Sequence, residues 1–318
     1  MKSKIAIGIL SFNEEKHIDR VINDLLMFDI PIFIINDSST DSTLEILKKY
    51  ENLNSISVIN NEKNIGAGAS TKKLLEHASS LDFDFLIKVD GDGQFSNKDV
   101  KRIIELYKKN NYDFIKSNRF WAKGIKGDIP KIRFFGNLLA TLFLQISSGT
   151  NKLYDPLNGL FGTSLEIINF LDDKNYPKRY GYPYFLTLTA IINNFKTYQI
   201  NNVVEYSNEN SNLNSVKVFF TILKLSFLFY FRKLKNKKML GIYQRSAFFD
   251  VLFLFSLLIV FLLFFLLVYI PFYATTSIIS SSNLLILFAV FLIISLACFV
   301  VSFKEEKNIR NEYIEIDI

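Results

Sequence analysis

The chain has almost no cysteine: Cys298 is the only one in 318 residues, and it lies inside an apolar run. No disulfide framework and no zinc cluster can therefore be built within the chain. The first apolar run is followed by Ser11-Phe12-Asn13-Glu14 instead of a G-x-G-x-x-G turn, so the phosphate cradle of a dinucleotide-dependent oxidoreductase is missing. The N-terminus starts with a basic Met1-Lys2-Ser3-Lys4. The IAIGIL that follows is too short for the core of a signal peptide and reads as a first β-strand. Internal repeats and long linkers are also lacking.

What the chain does have is phenylalanine, 32 residues of it, and a positive mean hydropathy of +0.20. Both are high for a wholly soluble enzyme. Residues 1–215 read as a mixed, charged globular sequence, whereas 216–303 are dominated by Leu, Phe, Ile and Val. Residues 249–270 carry one charge, Asp250, at their edge, and 284–303 carry none. About 20 apolar residues cross a bilayer, so both segments qualify as spans. Neither has a polar face, which argues against buried core helices. The absence of charge within them argues against a transport pathway.

The flanks predict an orientation. Arg232, Lys233, Lys235, Lys237, Lys238 and Arg245 precede the first span, and Lys304, Lys307 and Arg310 follow the second. The loop between, Pro271 to Asn283, has no charge. By the positive-inside rule both termini and the large N-terminal domain are cytoplasmic. The net charge of +6 thus favours lipid, and no nucleic-acid partner is expected, since the basic residues gather near the spans and not on a recognition element. Residues 216–235 are apolar but interrupted by lysine and arginine. They suit a helix lying in the membrane interface, the alternative being an amphipathic helix packed on the domain. The expected organisation is a catalytic domain over 1–215, a juxtamembrane helix and basic linker over 216–245, two spans over 246–303, and a cytoplasmic tail over 304–318 that chemistry does not need. Spans of this kind often pair, so a homo-oligomer is a further expectation.

In the N-terminal part, apolar runs at Lys4–Leu10, Ile32–Ile35, Ile56–Ile59 and Phe85–Val89 alternate with helical segments. That alternation predicts an α/β fold with a parallel, doubly wound sheet. Ligands of such sheets bind beyond the carboxyl ends of the strands. The polar clusters Ser11–Glu14, Asn36–Asp41, Asn64–Gly68 and Asp90–Gln94 all fall there. Their convergence is the main argument for a nucleotide site. Asp90-Gly91-Asp92-Gly93-Gln94 is the sharpest local signal. Its carboxylates suit Mg²⁺ or Mn²⁺ bridging to substrate phosphates, and its glycines permit a tight turn. His17 and His77, on predicted helices, are expected at the surface.

The ordered set LSFNEE (10–15), INDSSTDST (35–43), NIGAGAS (64–70), VDGDGQF (89–95), SNRF (117–120), IRFFGN (132–137) and DPLNGLF (155–161) resembles family 2 glycosyltransferases. It looks most like the polyprenyl-phosphate sugar synthase branch, which includes dolichyl-phosphate mannose synthase. The resemblance covers residues 4 to about 235. It implies a GT-A fold (Rossmann-like, with a mostly parallel sheet), a divalent metal, a nucleotide-diphosphate sugar donor and inversion at the anomeric carbon. Carried over by position, Phe12, Asn13 and Glu14 line the nucleoside pocket and Asp37 contacts base or ribose. Asp90, Asp92 and Gln94 form the metal and diphosphate motif. Arg119 and Arg133 hold phosphates, a task suited to planar guanidinium forks. Asp155 orients the acceptor or acts as a base. Trp121 is expected on a loop over the donor.

Some positions depart from the family pattern. The usual acidic positions before the last domain helix are Pro183 and Phe185 here, and the usual lysine of the NxGKG turn is Ala67. Glu209 and Ser211 match a segment of the branch in which Asn208 replaces an acidic residue. The expected activity is transfer of a sugar from a UDP- or GDP-linked donor to a membrane lipid acceptor, foremost polyprenyl phosphate. Transfer to a lipid-linked saccharide is the alternative. An inactive membrane scaffold is disfavoured by the intact carboxylate pair and arginines.

Overall fold

The computed structural model describes residues 4–120, 125–126, 131–202, 204–205, 215–240, 244–273 and 281–317. In chain order the elements are β1 (Ile5–Ser11), α1 (Ile18–Leu26), β2 (Ile32–Asn36), α2 (Thr43–Lys48), β3 (Ile56–Asn60), α3 (Ala67–Ser80), β4 (Phe85–Asp90), α4 (Asn97–Asn110) and β5 (Phe114–Asn118). There follow β6 (Ile125–Lys126), α5 (Lys131–Ser148), β7 (Phe161–Ser164), α6 (Tyr182–Ile192), β8 (Thr197–Asn201), β9 (Val204–Glu205), α7 (Ser215–Leu240), α8 (Gln244–Tyr273), α9 (Ser281–Arg310) and β10 (Ile314–Ile316).

Eight strands form one sheet in the order β10-β8-β5-β7-β4-β1-β2-β3. Only β7 runs antiparallel to its neighbours, β4 and β5. The expected α/β fold with a mostly parallel sheet is therefore present. β6 and β9 make a separate two-stranded parallel sheet. The central strands are buried along their whole length, which fits a sheet covered on both faces. Ile18, Val21, Ile22 and Leu25 of α1, Leu47 of α2, and Val100, Ile103 and Ile104 of α4 cover one face. Leu74, Leu75 and Ala78 of α3, Ala140 and Leu144 of α5, most of α6, and Ile222, Leu225 and Phe229 of α7 cover the other. Because β7 is reversed, the loop that precedes it opens at the same sheet edge as the carboxyl ends of β1, β2, β4 and β5.

The structure divides into two compact units: Met1–Ser148 with Lys152–Phe229 and Glu312–Ile318, and Gly149–Asn151 with Tyr230–Asn311. The first unit includes a surprise at its edge. Residues 304–318 were expected to be a tail, but Lys304–Arg310 finish α9 and Ile314–Ile316 pair with Thr197–Gln199 as β10. Tyr112 donates to the Glu315 carboxylate at 2.6 Å. Asp317 accepts from Arg102, from the Tyr198 hydroxyl at 2.8 Å and from the Asn201 amide at 2.8 Å. These bonds order the C-terminus, because the edge of β8 offers a ladder that the last residues complete. Truncation after Asn311 is expected to destabilise the protein by roughly 3–5 kcal/mol, at about 1 kcal/mol per net hydrogen bond. Thermal unfolding of the detergent-solubilised chain measures this, and an unchanged midpoint would return these residues to the status of a tail.

In the second unit, Arg245–Leu267 and Asn283–Tyr313 are long and apolar enough to cross a membrane. Only 17% of the most apolar window of each is buried within the structure, unlike a core helix. α8 and α9 lie antiparallel: Phe253 meets Phe299, and Phe264 meets Phe288. Asp250 accepts from Tyr230 at 3.1 Å and from Ser302 at 2.7 Å, so the single charge at the edge of the first span is buried and hydrogen-bonded. Lys233 pairs with Glu306 at 3.0 Å, and Arg310 lies 3.5 Å from the same carboxylate, all three buried. These two cations, counted above with the basic flanks, therefore do not face lipid. The uncharged loop lies mostly outside the described residues.

The helix expected to open at Asn13–Glu15 begins instead at Ile18. Asn13 is left-handed (φ 59°), and the loop around it is tied to the β2–α2 loop. His17 and His77 are half-buried, not at the surface. The His77 ring stands edge-on to Phe33 at 4.9 Å.

Candidate active site

The sequence motifs converge at the carboxyl edge of the sheet. At the end of β1, Asn13 accepts from the Thr40 amide at 2.8 Å through Oδ1, and its own amide donates to Ser39 Oγ at 3.0 Å. The Glu14 amide donates to Thr43 at 2.8 Å. These bonds lock two loops into one wall and leave the Phe12 ring exposed. After β2, buried Asp37 takes the Ile65 and Gly66 amides, each at 2.9 Å, and Asn61 Nδ2 at 2.9 Å. In this geometry Asp37 holds the turn that starts α3. The close approach explains the glycines there. Gly66 has φ +94°, and a Cβ on Gly68 would lie 1.9 Å from the Pro177 carbonyl oxygen.

The DGDGQ turn follows β4. Asp92 Oδ1 accepts the Gln94 amide at 3.0 Å, and Gly93 sits at φ +72° against Arg20. Asp90 forms an ion pair with Lys88, two residues earlier on the same face of the strand. Lys88 is fully buried and also donates to the Tyr182 hydroxyl at 2.7 Å. Burial alone would lower the Lys88 pKa, but the Asp90 carboxylate outweighs it and the net shift is upward.

Arg119, at the end of β5, meets Asp155 in a two-pronged pair: Nε to Oδ2 at 2.8 Å and Nη2 to Oδ1 at 2.9 Å. The Arg119 amide adds a bond to Oδ2 at 2.9 Å, and Asn158 Nδ2 adds another at 3.1 Å. Asp155 is wholly buried. Burial pushes its carboxyl up, but Arg119 and these bonds outweigh burial and the net shift is downward. A buried carboxylate with both oxygens engaged cannot readily reach an acceptor. So held, Asp155 is placed to fix the direction of the Arg119 guanidinium. Lys116, which the sequence reading passed over, donates to the Asp155 carbonyl and fixes the same loop.

A cavity of about 450 Å³ joins these parts. Asp90, Asp92, Gln94 and Arg119 are in its lining, and Phe120, Phe143, Leu157, Val218, Phe219 and Ile222 are among the apolar residues that line it. Asp90 and Asp92 are its only carboxylates among the described residues. Pro183, where the family pattern has an acid, and Ala67, where it has a lysine, line it too, whereas Phe185, the other such position, is buried in the core. Beside the cavity, α5 exposes Phe134, Phe135, Leu138, Leu139 and Leu142, and α7 exposes Val216, Phe219, Phe220 and Phe227. Ile222, Leu225 and Phe229 of α7 pack on the domain, while its outer face exposes these apolar side chains interspersed with Lys217 and Lys224. Arg133 falls in the first turn of α5, but its side chain lies outside the described residues, as do Trp121, Asn208, Glu209 and Ser211.

Such an arrangement, with a carboxylate pair at a strand terminus and a guanidinium in the lining of the same cavity, suits a phosphate-bearing ligand. The family model for glycosyl transferase family 2 matches residues 6–169, and the chain belongs to that family. It is a glycosyltransferase. It is 27% identical over 190 residues to the UDP-N-acetylglucosamine–dolichyl-phosphate N-acetylglucosaminyltransferase of Methanococcus voltae, covering 55% of this chain and 75% of that one. It is 22% identical over 173 residues to the dolichol-phosphate mannosyltransferase of Pyrococcus furiosus, covering 52% and 47%. Its fold matches glucosyl-3-phosphoglycerate synthase from Mycobacterium tuberculosis, solved with Mn²⁺, UDP and phosphoglyceric acid, at a TM-score of 0.54 and 18% identity over 70% of this chain and 78% of that one. The match establishes the GT-A-like fold alone.

Proposed function

We propose that this protein transfers a sugar, with inversion, from a nucleotide-diphosphate donor to polyprenyl phosphate at a membrane surface. One observation carries the proposal. The cavity brings Asp90, Asp92, Gln94 and Arg119 together with apolar side chains of α5 and α7, and among its described residues it holds no carboxylate beyond the Asp90–Asp92 pair. A hydroxyl acceptor needs a base. A phosphate monoester, with its second pKa near ~6, is already ionised at neutral pH. Its oxygen attacks the anomeric carbon as the bond to the nucleoside diphosphate breaks, and no proton need be removed. Catalysis then rests on positioning and charge neutralisation. The apolar wall of α5 and α7 suits an isoprenoid chain.

In this reading Phe12, Asn13 and Glu14 face the nucleoside, and Asp37 supports that wall from behind. Arg119 and Arg133 meet phosphate oxygens. Asp90, Asp92 and Gln94 suit Mg²⁺ or Mn²⁺, since hard oxygen donors fit such ions. Among the described residues no group of three or more His, Cys, Asp or Glu gathers, so donor phosphates would complete the shell, the usual arrangement for Mg²⁺. A divalent cation bound there supplies positive charge to the departing diphosphate. The helices α8 and α9 anchor the protein in the cell membrane with the catalytic domain and both termini cytoplasmic, where the remaining basic flanks Arg232, Lys235, Lys237, Lys238, Arg245, Lys304 and Lys307 meet anionic lipid.

The test incubates the purified full chain with labelled nucleotide sugars, with and without Mn²⁺, and with either polyprenyl phosphate or a lipid-linked saccharide. Metal-dependent label in the organic phase with polyprenyl phosphate alone is expected. Label only with the lipid-linked saccharide would overturn the acceptor assignment.

A further inference from the structure

Lys88 is the one charged residue of β4 that precedes the turn, in FLIKVD, and the strand is otherwise apolar up to Asp90. A buried ammonium without a partner is costly, so its position demands an explanation. The period of two along a strand puts residues 88 and 90 on one face. Lys88 has no solvent exposure and its Nζ pairs with Asp90 Oδ1. The Tyr182 hydroxyl takes a second bond at 2.7 Å, and the Tyr182 ring lies 5.3 Å from Nζ. The backbone closes from above: a Cβ on Gly159 would lie 2.2 Å from Asp90 Oδ2 and 3.2 Å from Lys88 Nζ. The Asp90 side chain nevertheless keeps 31% exposure and lines the cavity. The ammonium is thus sealed behind the carboxylate and cannot swing out to meet substrate.

We propose that Lys88 is a built-in counter-ion of the metal site, which cancels the charge of Asp90. This rests on the assignment of Asp90 and Asp92 to metal and diphosphate. The Lys88–Asp90 pair carries no net charge, so Asp90 offers a cation less attraction than a lone carboxylate would. The protein alone therefore holds a divalent cation weakly, and the cation binds well only in company with the nucleotide diphosphate, whose oxygens supply the missing charge. Lys88 is a positioning residue here, acting through Asp90.

The test measures Mn²⁺ binding by the electron paramagnetic resonance signal of the unbound ion, on the full chain in detergent, without nucleotide and with UDP or GDP. Lys88→Met removes the charge at similar volume and is expected to tighten Mn²⁺ binding without nucleotide by about tenfold or more. Lys88→Gln, which removes the charge but keeps a donor for the Tyr182 hydroxyl, is expected to tighten binding in the same way, and Lys88→Arg, which keeps the charge, to bind Mn²⁺ within about threefold of wild type. A folded Lys88→Met or Lys88→Gln chain with unchanged affinity would overturn the inference. If neither neutral variant folds, a Lys88→Arg chain that binds Mn²⁺ about tenfold more tightly despite the kept charge would do the same. Absence of Mn²⁺ binding by the wild type with either nucleotide would instead remove the metal-site assignment itself, and this inference with it.

Discussion

Asp92→Ala is expected to lower sugar transfer by about 10³-fold while leaving the fold intact. The side chain stands in a turn, half-buried, with one oxygen held by the Gln94 amide at 3.0 Å. Its removal therefore acts on chemistry, by deleting the carboxylate that the proposed site uses to hold a cation against the leaving diphosphate. Loss of one preorganised electrostatic group typically costs about 10²–10³-fold in turnover. The upper end is expected here because the companion carboxylate, Asp90, is already engaged by Lys88. Thermal stability is expected to change by no more than about 0.5–1 kcal/mol, as for other partly exposed positions. The two readouts are label in the organic phase and the unfolding midpoint. Near-normal transfer by Asp92→Ala would falsify the role given to the DGDGQ turn.

How far the sequence revealed this site depends on which contacts are local. The strands β1, β2 and β4 were legible because each is an apolar run closed by a polar cluster, and the polar clusters are where ligands bind such sheets. The start of α1 was misjudged because Asn13 and Glu14 look like a helix opening. Their amides and the Asn13 side chain are instead spent on Ser39, Thr40 and Thr43, some 26–29 residues away. β10 was missed because Ile314–Ile316 is three residues long and becomes a strand only beside β8. The apolar face of α5 is readable at helical spacing in Phe134, Leu138 and Leu142, beside the IRFFGN motif. Lys88 and Lys116 left a signal too. Each is the one lysine of a buried strand, and each proves to have a partner at the site, Asp90 for one and the Asp155 carbonyl for the other. A charge where burial is certain marks a contact that the chain must provide from elsewhere.

Asp155→Asn is the second decisive change, and its expected result separates a base from a positioning group. Asparagine keeps the shape but not the charge that Arg119 meets with two nitrogens and its own amide. Removing one member of a buried ion pair costs about 3–5 kcal/mol, because the other charge is left without its partner. Arg119 is partly exposed at the cavity, so the lower end applies to stability. Turnover is expected to fall by about 10²-fold, since the guanidinium proposed to meet the phosphates loses its fixed direction. Arg119→Lys should fall similarly despite keeping the charge, because a single ammonium cannot reproduce the fork. The pH dependence then discriminates. In the folded protein the Asp155 carboxyl lies below its ordinary value of 3.8, so its stabilising contribution is complete above that value and is lost as pH falls through the folded-state value. Wild type should thus lose stability in acid through a component that Asp155→Asn lacks. Around neutrality the pH profile of transfer should keep its shape in the variant and only scale down. A base would behave otherwise: its loss would remove an acid limb from the profile and spare acceptors that arrive ionised. Recovery of full transfer to polyprenyl phosphate in Asp155→Asn, with transfer to a hydroxyl acceptor abolished, would return Asp155 to the role of base and the acceptor to the class of saccharides.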